Sequence, residues 1–393
     1  MSVVSLSDGR DDGALARLIG ADAIARVRRP IEEAAGLPNI AYTSEDFLRL
    51  ENERLFAQTW MPACQEAEIA KSGDVVPKVV AGLPIVVLRD KAGEVRAFHN
   101  VCPHRGTRLV SEPCQGRATI TCPYHAWSFD LTGALRGRPH YHGGGKHDVV
   151  TEDGHDIGLT AIRCETWLGM VFVNLSGDAP PLSEYLKPLT DRLGGYDLSA
   201  LRYAGSLSFE VGANWKLAYE NYIEPYHVFA LHPRLCAFVP MELRTPSDFE
   251  GPVLFNEYLY PAAEEGRGDG LPHYPNLPAD YRNRGLWFHL FPSLCLEIYP
   301  DQLAVFLATP LGPGRCREDI HIYLVGEAAD GERHQAERQA VFDTWHDLNG
   351  EDLAVLEKLQ AGRHSPAFTG GRLSPYWDAA PLHFARLVVD ALS

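Results

Sequence analysis

Positive charge is scarce in this chain: 36 Lys and Arg stand against 52 Asp and Glu, a net charge of −16. A surface of that sign argues against nucleic acid or an anionic membrane as a partner. Long apolar runs are also missing. None reaches the ~20 residues that span a bilayer, and residues 1–10 lack a basic-then-apolar leader. The expectation is a cytoplasmic protein with no membrane segment. Cysteine is sparse, with eight in 393 residues, which excludes a disulfide framework. There is no internal repeat and no low-complexity tail. What remains is ordinary globular composition, 45% apolar and 22% charged, in a chain long enough for two or three domains.

Two of the few cysteines fall in a pattern. Cys102-Pro103-His104 is followed, after seventeen residues, by Cys122-Pro123-Tyr124-His125. Each cysteine arrives with a histidine on a loop short enough to be one tight turn. Two thiolates and two imidazoles suit Zn²⁺ or an iron–sulfur centre. A Rieske [2Fe–2S] centre needs two thiolates on one iron and two imidazoles on the other, and each loop supplies one of each. Arg105-Gly106 and Ala126-Trp127 follow the two pairs, and the whole stretch resembles the Rieske signature. Cys64, Cys114, Cys164, Cys236, Cys295 and Cys316 have no such partners and read as small buried groups or free thiols.

In chain order, residues 13–29 read as an amphipathic helix ended by Pro30, and 31–42 as an irregular arm. Thr43-Ser44-Glu45-Asp46 is a capping box before Phe47, Leu50, Leu55, Phe56 and Trp60 at roughly helical spacing. Strands are expected over 75–80, 84–89, 95–100, 118–121, 127–130, 134–137, 160–167 and 170–174, with turns at Ala81-Gly82, Lys91-Ala92-Gly93, Leu131-Thr132-Gly133 and Leu168-Gly169. Many short strands with Gly-rich turns suggest a small antiparallel β domain with the cysteine loops at hairpin tips. His140-Tyr141-His142-Gly143-Gly144-Gly145 reads as a surface insertion. Gly177-Asp178-Ala179-Pro180-Pro181 marks a boundary. Beyond it come helical 186–193, strand 206–211, helix 214–222, a Pro- and Gly-rich excursion over 240–283, strands over 286–290, 294–298, 303–307 and 319–324, and a long helix over 332–361 interrupted at Asn349-Gly350. The expected class is α+β, divided into an arm (1–60), a β domain (61–176) and a second domain (177–393).

A second constellation lies in Glu224-Pro225-Tyr226-His227-Val228-Phe229-Ala230-Leu231-His232. On a straight helix, residues five apart point about 140° away from each other, too far for one metal. Pro225 gives a reason for a break, since it disfavours helical geometry at Glu224 and lacks an N–H. Two imidazoles and a carboxylate would leave open positions on Fe(II) for dioxygen and substrate. Spacing alone does not choose the carboxylate: Glu297, Asp347, Glu351 and Asp352 are all available.

Together the two motifs resemble the terminal oxygenase large (alpha) subunits of Rieske non-haem iron oxygenases, over about residues 45 to 365. The resemblance implies an N-terminal antiparallel Rieske domain and a C-terminal helix-grip catalytic domain. It implies Cys102, His104, Cys122 and His125 as cluster ligands, and His227, His232 and Asp352 as ligands of mononuclear Fe(II). Glu224 matches the acid that connects the iron to the Rieske cluster of a neighbouring subunit, and many aromatic-ring members carry Asp there. Also implied are electrons from NAD(P)H through a reductase, with or without a ferredoxin, O₂ as co-substrate, and a homotrimer. Glu224 with Tyr226-His227 is more similar to the branch acting on quaternary amines. The substrate expectation is therefore monooxygenation of a small N-methylated or polar molecule, with aromatic-ring hydroxylation as the runner-up. Tyr219, Tyr222, Tyr226, Trp287, Phe288 and Phe291 are candidates for an aromatic cage around a cation. No Arg or Lys can be placed in the pocket from sequence. A Rieske electron carrier would leave His227 and His232 without a role. A zinc-stabilised binding protein is the other rival.

Overall fold

The computed structural model describes residues 13–149, 157–259 and 270–393. The chain divides into two compact units: Glu51–Tyr185, and the described residues up to Leu50 together with Leu186–Ser393. The class is α+β, with an antiparallel β unit first and a sheet-and-helix unit second.

In the first unit six strands form an antiparallel sheet in the order Met61–Gln65, Met170–Asn174, Ala161–Trp167, Val95–His99, Leu83–Arg89, Val75–Val80. Two of its hairpins turn on the dipeptides Ala81-Gly82 and Leu168-Gly169, in which all four residues take positive φ. That is the primed-turn geometry that matches strand twist, and it explains connections of only two residues. A smaller sheet holds Thr119–Thr121, Ser128–Asp130, Leu135–Arg138 and Asp148–Val149. Between these strands lies an apolar cluster of Val86, Leu88, Phe98, Ile120, Trp127, Phe129 and Leu135, and it also takes in Cys102 and Cys122.

In the second unit a seven-stranded antiparallel sheet runs Leu201–Val211, Arg315–Val325, Gln302–Gly312, Leu294–Ile298, Arg284–Leu290, Val253–Leu259, Asp248–Glu250. The helix Trp215–Tyr222 packs on its central strands and on the long helix Gln335–Gly362. Tyr219 fixes the first contact: its hydroxyl donates to the Ser293 carbonyl (2.9 Å) and accepts from the Ala308 N–H (2.7 Å). The helix Ala379–Leu392 adds Phe384 edge-on to Trp215.

Several expectations need correcting. Residues 13–29 form two helices, Ala14–Ile19 and Ala21–Val27, because Gly20 takes φ 81° and ψ 145° between them. The arm contains a short helix, Ile40–Thr43. Ser44 rather than Thr43 caps the next helix, its Oγ accepting the Phe47 N–H at 3.3 Å; the Thr43 hydroxyl donates back to the Asn39 carbonyl. Gln335–Gly362 continues through Asn349-Gly350. The excursion holds the strands Asp248–Glu250 and Val253–Leu259, and part of it, 260–269, lies outside the described residues.

Candidate metal centres

The two cysteine–histidine loops close in the same way. The Cys102 N–H donates to the Thr107 carbonyl and the Cys122 N–H to the Trp127 carbonyl, both at 2.8 Å. The Gly106 and Ala126 N–H groups return to the cysteine carbonyls at 2.9 and 3.0 Å, with φ of +71° and +56° at these two residues. The positive φ turns each chain back so that cysteine and histidine point to one side. Both cysteines are buried, and the Cys102 thiol is within hydrogen-bonding reach of Cys122. The His104 and His125 rings lie 4.7 Å apart on the more exposed side. Trp127 stacks flat on His104 at 4.6 Å and 1°, which fixes that ring.

The donors are thus sorted sulfur with sulfur and nitrogen with nitrogen. That grouping fits a two-iron cluster with two thiolates on one iron and two imidazoles on the other. A single tetrahedral ion would need all four to converge. His125 Nδ1 is buried without a hydrogen-bond partner, as a donor reserved for metal would be. Burial pushes the Cys102 thiol pKa up, and the neighbouring Cys122 adds to the effect. Such thiols ionise when a metal supplies the compensating charge.

The second centre starts from Asn214, whose side chain accepts the Lys216 N–H at 2.9 Å and caps Trp215–Tyr222. That helix stops before Glu224-Pro225. His227 opens a one-turn helix, Val228–Leu231, and His232 (φ −118°, ψ 70°) leaves it again, with Pro233 starting the next. The expected break is therefore double, and the two rings come to 5.2 Å and 73°. The long helix delivers Asp352, whose Oδ1 lies 3.1 Å from His232 Nε2 and 3.8 Å from His227 Nε2. The donor atoms of His227, His232 and Asp352 lie within 4.8 Å of one another.

The other acids distribute around this group. Glu351 Oε2 lies 2.6 Å from His232 Nδ1, and Glu224 Oε2 lies 3.2 Å from His227 Nδ1. Glu224 also uses its other oxygen to accept the N–H groups of Tyr226 and His227. Each histidine is therefore held by a carboxylate on Nδ1, with Nε2 turned toward Asp352. This is the arrangement that fixes ring orientation in metal sites. Burial opposes charge on His232, but the hydrogen bonds and charges of Asp352 and Glu351 outweigh it and raise its pKa. Glu297 bonds the Tyr299 hydroxyl at 2.8 Å, and Asp347 is exposed near Arg234. Two imidazoles and one carboxylate fit mononuclear ferrous iron.

Residues 198–393 match the family described as ring hydroxylating alpha subunit (catalytic domain), and residues 59–150 match the Rieske [2Fe-2S] domain. The chain is 31% identical to the glycine betaine monooxygenase oxygenase subunit of Chromohalobacter salexigens, over 94% of this chain and 89% of that protein. It is a Rieske non-haem iron oxygenase alpha subunit. The oxygenase is also 27% identical to the carnitine monooxygenase oxygenase subunit of Escherichia coli K12, over 87% and 88% of the two chains. It shares its fold with the quaternary ammonium Rieske monooxygenase CntA, at a TM-score of 0.76 and 24% identity over 94% and 98% of the two chains.

In the oxygenase, His227, His232 and Asp352 open onto a cavity of about 140 Å³. Of the expected aromatic cage, Tyr222, Trp287 and Phe288 line it. Tyr219 is locked in the core, Phe291 packs against Phe384, and Tyr226 is exposed and stacked on Trp377. Phe255, Tyr258, Phe306 and Trp345 add to the aromatic wall. Glu297 and Glu318 also line the cavity, both buried. Burial lifts the Glu318 carboxyl to about 7; a hydrogen bond from Asn349 pulls down and the Asp352 charge pushes up. Glu318 was findable: it interrupts the inward apolar series Cys316, Ile320, Ile322 on its strand. Arg244 lines the cavity too, and no periodicity marks it in the Pro- and Gly-rich excursion.

Proposed function

We propose that this oxygenase monooxygenates a small cationic, N-methylated amine, with electrons supplied by a separate reductase that draws on NAD(P)H. The observation that carries the reading is the pair of buried carboxylates, Glu297 and Glu318, among the aromatic rings of the cavity that holds His227, His232 and Asp352. A buried acid is destabilised unless a cation or a proton compensates it. A methylated ammonium supplies the cation, and a ring face such as that of Trp287 adds about 0.5–2 kcal/mol for a desolvated cation. A neutral aromatic hydrocarbon would bring no positive charge to either acid. The substrate classes named for the glycine betaine and carnitine relatives agree with this chemistry.

Cys102, His104, Cys122 and His125 would hold the [2Fe–2S] cluster, and His227, His232 and Asp352 the mononuclear iron. When bound, these groups supply one-electron transfer and dioxygen activation. The chain's own part is positioning. Glu224 and Glu351 hold the two imidazoles by their Nδ1 atoms. The acids orient the cation so that a methyl group faces the open side of the triad, and the aromatic wall excludes water. Glu224 is the residue we assign to coupling the iron site to the cluster of a neighbouring subunit in a homotrimer.

Product analysis under ¹⁸O₂ tests the reading with a panel of methylated amines and aromatic acids. The expected result is formaldehyde release, or an alcohol with one labelled oxygen, from a methylated amine. A cis-dihydrodiol carrying two labelled oxygens would reject it in favour of ring dihydroxylation.

A further inference from the structure

We propose that Arg244 is the anion-recognition residue of the substrate cavity, so that the substrate carries a carboxylate or similar anion in addition to its methylated nitrogen. The cationic half rests on the proposed function; the anionic half rests on Arg244 alone. Arg244 is 6% exposed and lines the cavity. Its Nε donates to the Val239 carbonyl (2.9 Å) and its Nη2 to the Leu235 carbonyl (3.1 Å), which tethers the guanidinium to the end of the helix Pro233–Phe238. The group lies 4.9 Å over the Tyr258 ring, itself part of the cavity wall.

These contacts fix the plane of the guanidinium without neutralising it. Among the described residues no acid forms an ion pair with Arg244. The equally buried Arg138, by contrast, is paired with Asp148. Buried charges are as a rule paired, because an unpaired one loses its hydration without return. A guanidinium has five donors in a planar fork that matches a carboxylate. Carbonyl tethers consume two and the Tyr258 side chain takes another, which leaves the rest of the fork to a ligand. The cavity therefore offers both signs: acids at Glu297 and Glu318, and a held cation at Arg244. A bipolar substrate matches both signs, whereas a simple quaternary cation brings no counter-charge to Arg244.

The test uses the holoenzyme and titration calorimetry with three kinds of probe of one length. They are a trimethylammonium compound ending in a carboxylate, its analogue ending in an alcohol, and the acid with a neutral tert-butyl group in place of the trimethylammonium. Wild type should bind the ammonium carboxylate about tenfold or more tighter than the ammonium alcohol. Arg244→Gln should erase that advantage while leaving affinity for the alcohol, iron content and the Rieske spectrum unchanged. If Arg244→Gln does not fold, Arg244→Lys decides: it keeps the charge but not the fork, and its carboxylate advantage should fall below that of wild type. Equal binding of acid and alcohol by wild type overturns the proposal, as does an advantage that survives both variants. Loss of binding for every ammonium compound, with Arg244-dependent binding of the tert-butyl acid, sinks the cationic reading and leaves Arg244 standing. Binding of no probe overturns both.

Discussion

A carboxyl group with a pKa of about 7 is half charged at neutral pH, and Glu318 is such a group. Its charge is set by where a strand places it, one residue from Arg317, which stays partly exposed and pairs with Asp319 on the other face. A cation in the cavity favours the ionised form, so binding and deprotonation are coupled. The sign follows: below about 7 the group is protonated and attracts a cation weakly, and above it the carboxylate is present in full. The KM for a cationic substrate should therefore fall as pH rises from 6 to 8, by up to about tenfold if Glu318 is the dominant contact. Glu318→Gln should remove that slope and leave a uniformly high KM. A slope unchanged in the variant would assign the titration to another group.

At the scale of elements, what was legible in the sequence followed local chemistry. The hairpin strands of the first unit were readable because Ala81-Gly82 and Leu168-Gly169 punctuate apolar runs. The Cys102/His104 and Cys122/His125 pairs stand out because each is short-range in the chain, whereas Asp352, which meets His232 across 120 residues, is singled out only by the family resemblance. Spacing admits Glu351 as a ligand, yet its carboxylate lies on Nδ1 of His232, the nitrogen turned away from Asp352, a distinction that depends on the rotation of the long helix and is invisible to spacing. Arg244 was out of reach for a related reason: its meaning comes from Tyr258 and the cavity, not from its neighbours in the chain. Asn349-Gly350 misled because a glycine weakens a helix locally, whereas here Trp345, Leu356 and Gln360 anchor the helix on both sides. That glycine remains a weak point. A Cβ built at Gly350 meets nothing within 4 Å, and the residue is helical. Gly350→Ala should stabilise the catalytic unit by about 0.5–1 kcal/mol, seen as a higher denaturation midpoint with unchanged iron content. A lower midpoint would show that the helix needs the flexibility next to Glu351 and Asp352.

At the scale of the molecule, the two sets of proposed metal donors belong to different units, one in Glu51–Tyr185 and one in Leu186–Ser393. Their losses should be separable. Cys122→Ala is expected to abolish the Rieske absorption and EPR signal. Asp352→Ala should lose mononuclear iron and turnover and keep the Rieske spectrum; normal turnover in that variant would mean that another carboxylate is the third ligand. The second unit also has a particular order of closure. Its first strand, Leu201–Val211, pairs with its last, Arg315–Val325, with Ser208 opposite Asp319. His232 and Asp352 meet across 120 residues of chain. Pairings of such long range form late, after most of the chain they enclose has been made. During synthesis, then, the cysteine–histidine loops emerge and can close while the ribosome is still translating the second unit. The proposed iron site cannot form until Asp352, which the long helix supplies, has been synthesised. Synthesis thereby sets an order in time: the proposed cluster donors are all made by residue 125, and the proposed iron donors only by residue 352.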